Sequence, residues 1–400
     1  MTRILESNSR RLMLKGTAAA MSAVGMAGWA KLGFAADAKP LPGYANWKIP
    51  GDIIVHSSNT LETKRSAYGS SVITPSDQLY VRNNLPPPDP AILENRDNWA
   101  IAISGVGKPV TYTLADLKSM GLETTAMVLQ CSGNGRGFFP SKPSGTPWKV
   151  GAAGCVIWSG VPVRDVVKAV GGIKAGAKYM TGTGGEVLPQ GLDPLSVIVE
   201  RSLPLAAVED ALLAWEMNGE PISLAHGGPL RLIVPGYTGV NNIKYIKQLS
   251  FTEQETKANI MSHGYRITPV GGTAGPDLPS VLEMSVKSWI NSPLPEDGVV
   301  RAGRVQIHGV AFGGVHAVKG VEVSVDGGKS WSAARFVGPD LGKYAWRQFV
   351  FDANLKAGEY QLASRATDTS GAVQPEARFE NAGGFNNTSW MDHSVKVSVA

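Results

Sequence analysis

The chain is predicted to fold as an α+β catalytic region followed by an all-β sandwich of immunoglobulin type. Three observations carry that expectation. Short helix signals stand among strand-like apolar runs between residues 113 and 234. From about residue 300 the pattern changes to short alternating strands punctuated by turn residues. The 47 glycines and 26 prolines are spread along the whole chain, as in a loop-rich fold whose loops carry the site.

The first 38 residues are set apart from this fold. Arg10-Arg11 precedes a modest apolar segment from Gly16 to Ala36, broken by Lys31 and too weakly hydrophobic to span a bilayer stably. Small residues follow in Phe34-Ala35-Ala36-Asp37-Ala38. The pattern predicts a twin-arginine export signal, cleaved near Ala36 or Ala38, and a periplasmic mature protein. Nothing after it is long and apolar enough for a transmembrane helix, so no stable membrane insertion is expected.

Within the mixed region, Thr113 ahead of Leu114, Asp116 and Leu117 predicts a capped short helix. Val161 to Val170 predicts another, ended by Gly171-Gly172. Thr124–Leu129, Ala211–Trp215 and Leu230–Val234 read as strands. Gly182-Thr183-Gly184-Gly185 does not meet the dinucleotide-binding fingerprint. Residues 267–300, with Pro269, Pro276, Pro279, Pro293 and Pro295, read as a connection. Beyond it, alternation at Val305 and Ile307, at Val321, Val323 and Val325, at Tyr344, Trp346 and Gln348, at Tyr360 and Leu362, and at Val395, Val397 and Val399 predicts the sandwich strands. The expected division is a leader over 1–38, a catalytic domain over 39–275 and a sandwich over 276–400.

Charge and cysteine content exclude several classes. Of the net +5, residues 1–38 hold Arg3, Arg10, Arg11, Lys15 and Lys31 against Glu6 and Asp37, which leaves +2 for the mature chain. With no basic run or aromatic-interleaved basic stripe, no nucleic-acid partner is expected. There is no Cys-x-x-Cys-His, so no haem is expected in this chain, and no His-Glu-x-x-His. The six histidines lack metal-ligand spacing. The two cysteines, Cys131 and Cys155, leave an exported disulfide open. Redox chemistry here would therefore hand its electrons to a separate protein.

Cys131 lies in Leu129-Gln130-Cys131-Ser132-Gly133-Asn134-Gly135-Arg136, between a strand-like run and a glycine-rich turn. Glycines let the backbone approach something bulky, and a thiolate near a fixed positive charge is a good soft-metal ligand. From these eight residues alone, a buried and inert cysteine remains the simpler reading. A cofactor-free exported cysteine hydrolase pairing Cys131 with a histidine such as His226, or an exported binding protein, is also open.

Several separated motifs in order change that balance. Arg82-Asn83-Asn84-Leu85-Pro86, the Cys131–Arg136 segment, Trp215-Glu216-Met217-Asn218-Gly219-Glu220-Pro221, and His226-Gly227-Gly228-Pro229-Leu230-Arg231 with Lys244 together resemble the sulfite oxidase family of molybdopterin enzymes. The resemblance covers nearly all of the mature chain. It implies a sulfite-oxidase-type molybdopterin domain, a carboxy-terminal dimerisation sandwich and a molybdenum–molybdopterin cofactor. It further implies oxidation of sulfite to sulfate, with electrons passed to a separate c-type cytochrome.

By the same resemblance Cys131 is the metal's thiolate ligand. Arg82, Arg136 and Arg347 are the pocket arginines, Trp148 a pocket wall and Tyr265 a hydroxyl beside the metal. Asn83, Asn84, His226, Arg231, Asn242 and Lys244 fall where the family holds the pterin. Asn84 stands where the family has histidine, and Gly135 where the animal motif has a basic residue. Cys155 has no family counterpart and is expected to be a small buried side chain. A sulfane dehydrogenase subunit of a multienzyme sulfur-oxidising system is the alternative within the family.

Overall fold

The structure, a computed structural model, describes residues 39–400, so the predicted export signal lies outside the described residues. In the mixed region, the strands Glu123–Gln130 and Ala153–Pro162 pair antiparallel, with Val128 opposite Cys155. Leu212–Met217 adds to the second of these, and Arg231–Ile233 pairs with Leu212–Met217 in turn. Ala153–Pro162 and Leu212–Met217 are buried along nearly their whole length because both faces of the sheet are covered there. A second sheet runs Val110–Thr113, Ala100–Ser104, Gln248–Thr252, Tyr179–Thr183, Glu200–Pro204. A third, small sheet holds Ile53–Ser57, Thr60–Thr63 and Val81–Arg82.

Both predicted helices form. Leu114–Lys118 is closed by a reciprocal capping box between Thr113 and Asp116, and its Leu114 and Leu117 are buried. Val163–Ala169 buries Val163, Val166 and Val167, then stops at Gly171 and Gly172, whose φ values of 84° and 83° suit glycine.

The carboxy-terminal region is a two-sheet sandwich. One sheet orders Lys287–Ser292, Gly303–Phe312, Arg347–Leu355 and Arg335–Val337. The other orders Ser332–Ala333, Val318–Ser324, Gly358–Asp368 and Val395–Val399. Inward-facing Val305, Ile307, Val321, Val323, Phe349, Leu362 and Val397 form its core.

Two expectations are corrected here. The segment read as a connection, 267–300, contains the sandwich strand Lys287–Ser292; its residues are buried on both faces, so no alternation marks it. Tyr344 and Trp346 precede the strand that begins at Arg347. Trp346 is instead drawn into a core shared by the two regions with Val128, Cys155, Trp289 and Phe312. Its indole N–H donates to Val72 O at 2.6 Å, and the Val128 N–H donates to Tyr344 O at 2.8 Å. Tyr68 and Trp289 close on the same ring, with centroids 5.7 and 6.0 Å away. The sandwich is therefore fused to the mixed region by a common core, and Pro40–Ala400 forms one compact unit.

Trp346→Phe keeps an aromatic ring, though a smaller one, and strands the Val72 carbonyl in that core. A loss of about 1–3 kcal/mol in urea unfolding is expected, and an unchanged midpoint would show the hydrogen bond to be dispensable.

Candidate functional site

Cys131 sits directly after the strand Glu123–Gln130, where pairing with Ala153–Pro162 ends and the chain turns. The turn is held by Asn134 N–H donating to Cys131 O at 2.9 Å and Arg136 N–H donating to Gly133 O at 2.9 Å. Gly133 is required here: a Cβ at that position would lie 2.6 Å from the Arg136 guanidinium carbon. The Cys131 thiol is free, as is that of Cys155, so the open disulfide does not form. Cys155 is fully buried in the shared core, and burial pushes its thiol up to about 12, the setting of an inert cysteine.

Cys131 lines two connected spaces. The inner one is walled by Tyr80, Arg82, Asn83, Glu186, His226, Arg231, Asn242 and Lys244, among others. The outer one, a cleft, is lined by Arg82, Asn84, Arg136, Thr146, Tyr265 and Phe385 with several small residues. Three of the four motifs that carried the sequence reading are brought to one place from separate sheets and their loops; Trp215–Pro221 lines neither space.

The inner wall is cationic, and backbone carbonyls hold it. Arg231 donates to His226 O at 2.8 Å and to Asn242 O at 3.3 Å. Lys244 donates to Asn83 Oδ1 and Ala225 O, both at 2.6 Å. Asn242 accepts from Val234 N–H and donates to Tyr237 O and Thr238 O, which fixes its amide orientation. Behind His226 lies Lys48, whose Nζ donates to Leu79 O, Ser76 O and His226 Nε2.

Burial sets the titration of this wall. Desolvation, reinforced by neighbouring cations, holds His226 and Lys244 well below their ordinary values. Desolvation brings Lys48 down to about 7, with Asp77 opposing. Glu186 is pushed up to about 7 by burial, offset in part by Lys244.

At the outer cleft, Arg136 is nearly buried: Nε donates to Gly383 O at 2.9 Å, Nη1 to Thr146 O at 3.1 Å, and the guanidinium lies 5.3 Å from the Phe385 centroid. Arg82 donates to Asn83 O and lines both spaces. Tyr265 follows the π-type turn Ile260–Gly264, stacks on Phe385 at 5.2 Å and donates to the exposed Asn84 Oδ1 at 3.4 Å.

Two expected site residues are placed elsewhere. Trp148 is fully buried behind the wall, edge-on to Tyr80 at 6.2 Å and His56 at 5.2 Å, so Tyr80 rather than Trp148 faces the cavity. Arg347 belongs to the sandwich strand Arg347–Leu355, lies 4.7 Å over Phe336 and pairs with Asp340 at 2.7 Å. Its charge is answered there, and it lines neither space.

Tyr80, Glu186, Lys48, Thr146, Gly383 and Phe385 were not anticipated. Tyr80 stands two residues before Arg82, and Glu186 ends the unassigned Gly184-Gly185 turn, which were the available signals. Lys48 and Phe385 lie far from any motif and carried none.

The residues present suit a large, polyanionic group with a soft metal. Ser132 Oγ and Glu186 Oε2 are buried in the inner wall without a protein partner, although buried polar atoms are normally paired. The cations there exceed the carboxylates, as an anionic phosphate requires. The one soft donor, Cys131, stands where the inner space meets the cleft. No group of three or more His, Cys, Asp or Glu among the described residues could hold a metal without such a carrier.

Comparisons with known proteins agree with this geometry. Residues 87–260 match the oxidoreductase molybdopterin binding domain model, and residues 279–399 the Mo-co oxidoreductase dimerisation domain model. Sulfite oxidase of Gallus gallus is 30% identical over 340 residues, covering 80% of this chain and 72% of the relative. The mitochondrial sulfite oxidase of Macaca fascicularis is 33% identical over 353 residues, covering 82% of this chain; the chain spans 62% of that relative's length. The crystal structure of the sulfane dehydrogenase SoxCD from Paracoccus pantotrophus superposes with a TM-score of 0.70 at 25% identity, covering 86% of this chain and 88% of that one.

Two outcomes follow from the wall. Alkylation of the denatured, unreduced protein should modify two thiols; none would mean that Cys131 and Cys155 are joined. An anion entering the wall favours the protonated forms of Lys48, Lys244 and His226, so its binding takes up protons and weakens as pH rises through about 7. Sulfate does not titrate near neutrality. Its increase of the cofactor-free protein's melting temperature should shrink between about pH 6 and about pH 9, and shrink less in Lys48→Met. A pH-independent increase would refute the coupling.

Proposed function

Because the chain belongs to the sulfite oxidase family of molybdopterin oxidoreductases, we propose that it oxidises sulfite to sulfate and passes the electrons to a separate c-type cytochrome. The observation that carries this reading is the position of the free Cys131 thiol, between a cationic inner cavity and a cleft flanked by two arginines. Cys131 would hold the metal. Arg231, Lys244, His226, Asn242, Asn83 and Glu186 would hold the pterin and its phosphate. When bound, the molybdenum–pterin group supplies the two-electron redox chemistry that converts sulfite to sulfate.

The chain's own residues bind and orient the substrate. Sulfite is a strongly hydrated dianion, and a planar guanidinium replaces its water better than a flexible ammonium does. Arg82 faces both spaces and is the principal anion donor. Arg136, with Nε and Nη1 already bonded to carbonyls, contributes chiefly its charge from the cleft wall. Tyr265 presents a hydroxyl at the same mouth, oriented by its stack on Phe385. Asn84 hydrogen-bonds that hydroxyl without adding a group that titrates near neutrality.

In the same proposal the mature protein is periplasmic, exported through the arginine pair at residues 10–11, and dimerises through residues 279–399. A second reading has one specific support. The outer cleft is far larger than a bare oxyanion and has an aromatic wall at Phe385, room that sulfur carried on a larger molecule would use. In that reading the protein is a sulfane dehydrogenase subunit.

The experiment is metal analysis with a sulfite–cytochrome c assay on the purified chain. About one molybdenum per chain and turnover of free sulfite are expected; metal without sulfite turnover favours the second reading, and no molybdenum sinks both. Cys131→Ser should leave a folded protein without oxidation, since a hard hydroxyl does not replace the soft ligand. Arg82→Gln should lose about 2–4 kcal/mol of transition-state stabilisation, read from kcat/KM, the scale of one lost electrostatic donor. Near-normal kinetics would discard that role.

A further inference from the structure

Lys287 is fully buried in the first sandwich strand, and nothing in the reading above uses it. Its ammonium donates to Asn134 Oδ1 at 2.7 Å and lies 5.9 Å from the Trp289 ring centroid. The nearby carboxylate of Asp392 is already committed to Arg378, at 2.7 and 2.9 Å, and to Asn387 at 2.8 Å. Desolvation brings Lys287 down to about 7. An apolar side chain of the same volume would pack more cheaply at this position, so the ammonium calls for a reason.

Asn134 supplies that reason. Its Oδ1 accepts from Lys287, its Nδ2 donates to Val150 O at 2.7 Å, and its N–H donates to Cys131 O at 2.9 Å. One residue thus ties the Cys131 turn to the neighbouring loop and to the sandwich. Three further bonds cross the same boundary: Asn386 N–H to Ser132 O at 2.9 Å, Asn387 Nδ2 to Gly135 O at 3.0 Å, and Arg136 Nε to Gly383 O at 2.9 Å. Each of those three ends on a backbone carbonyl. Of these cross-boundary bonds, that between Lys287 and Asn134 joins two side chains, and its donor is a fully buried amine.

We propose that Lys287 is a positioning residue for Cys131, through which the sandwich holds the metal-binding turn by the buried Lys287–Asn134 hydrogen bond. The proposal rests on the reading of Cys131 as a metal ligand. Lys287 touches neither substrate nor cofactor in it. It restricts the turn that presents the sulfur, as partners behind a metal ligand do.

The test uses the full chain in a Cys155→Ala background, so that Cys131 is the remaining thiol. In cofactor-free protein, Lys287→Met should speed iodoacetamide alkylation of Cys131 by about fivefold, because the turn opens more often. In loaded protein the same variant should retain its metal and its KM while kcat falls roughly tenfold. Asn134→Ser should reproduce both changes, and the double variant should be no worse than either single one. Lys287→Gln, which keeps a donor to Asn134, should recover most of both.

A lowered melting temperature with unchanged alkylation and kcat would make Lys287 merely structural and overturn the proposal. So would additive losses in the double variant. If Lys287→Met does not fold, Asn134→Ser against Lys287→Gln carries the same comparison. Should Cys131→Ser keep metal and turnover, the ligand reading fails; the alkylation comparison, made without cofactor, still decides the restraint.

Discussion

The structure depends on gathering positive charge into a buried wall without neutralising it. Arg231, Lys244 and Lys48 hydrogen-bond chiefly to backbone carbonyls, at His226, Asn242, Ala225, Ser76 and Leu79. Carbonyl oxygens orient a cation while leaving its field available to an incoming anion; a carboxylate partner would cancel it. The cost is a wall that holds its charge reluctantly, visible in the lowered titration of Lys48, Lys244 and His226. Glu186 is the exception, and burial pushes its carboxyl up to about 7. Stability is given up here for binding, which is where functional sites and optimal packing diverge.

The fold serves that wall by ending strands around it. Glu123–Gln130 delivers Cys131, Val81–Arg82 delivers Arg82, and Arg231–Ile233 delivers Arg231. Strands are rigid along their length, and the loops beyond them are free to vary, so placing each donor at a strand end combines accuracy with chemical freedom. Close approach between these ends is possible because glycine occupies the contact points. A Cβ at Gly133 would enter the Arg136 guanidinium, and one at Gly239 would come within 2.9 Å of the Tyr80 hydroxyl.

Much of this was legible in the residue pattern, for reasons that differ by element. Thr113 and Asp116, and the glycine pair after Val170, are local capping signals, and both helices formed where they indicated. Alternation marked the sandwich strands with one wet face. It missed Lys287–Ser292, which is buried on both sides and includes a lysine and two serines that read as loop. The cavity residues within motifs, from Arg82 to Lys244, came together as expected. Arg347 and Trp148 did not, because proximity in sequence says nothing about the side of a strand or layer a residue faces. Lys48 and Phe385 reach the site by tertiary routes that leave no local trace.

The sandwich takes part in the site as well as in the fold's second core. Gly383 and Phe385 line the outer cleft, and residues 383–387 hold the turn from Ser132 to Arg136 by backbone and amide bonds. Phe385 also orders Tyr265 and Arg136, the two polar groups at the mouth. The shared core of Val128, Trp289, Phe312 and Trp346 leaves little room for the two regions to shift against one another. Surface where this sandwich could meet another chain is therefore mechanically continuous with the turn that carries Cys131. Interiors packed this densely have low compressibility, so the sandwich and the turn are held as one body.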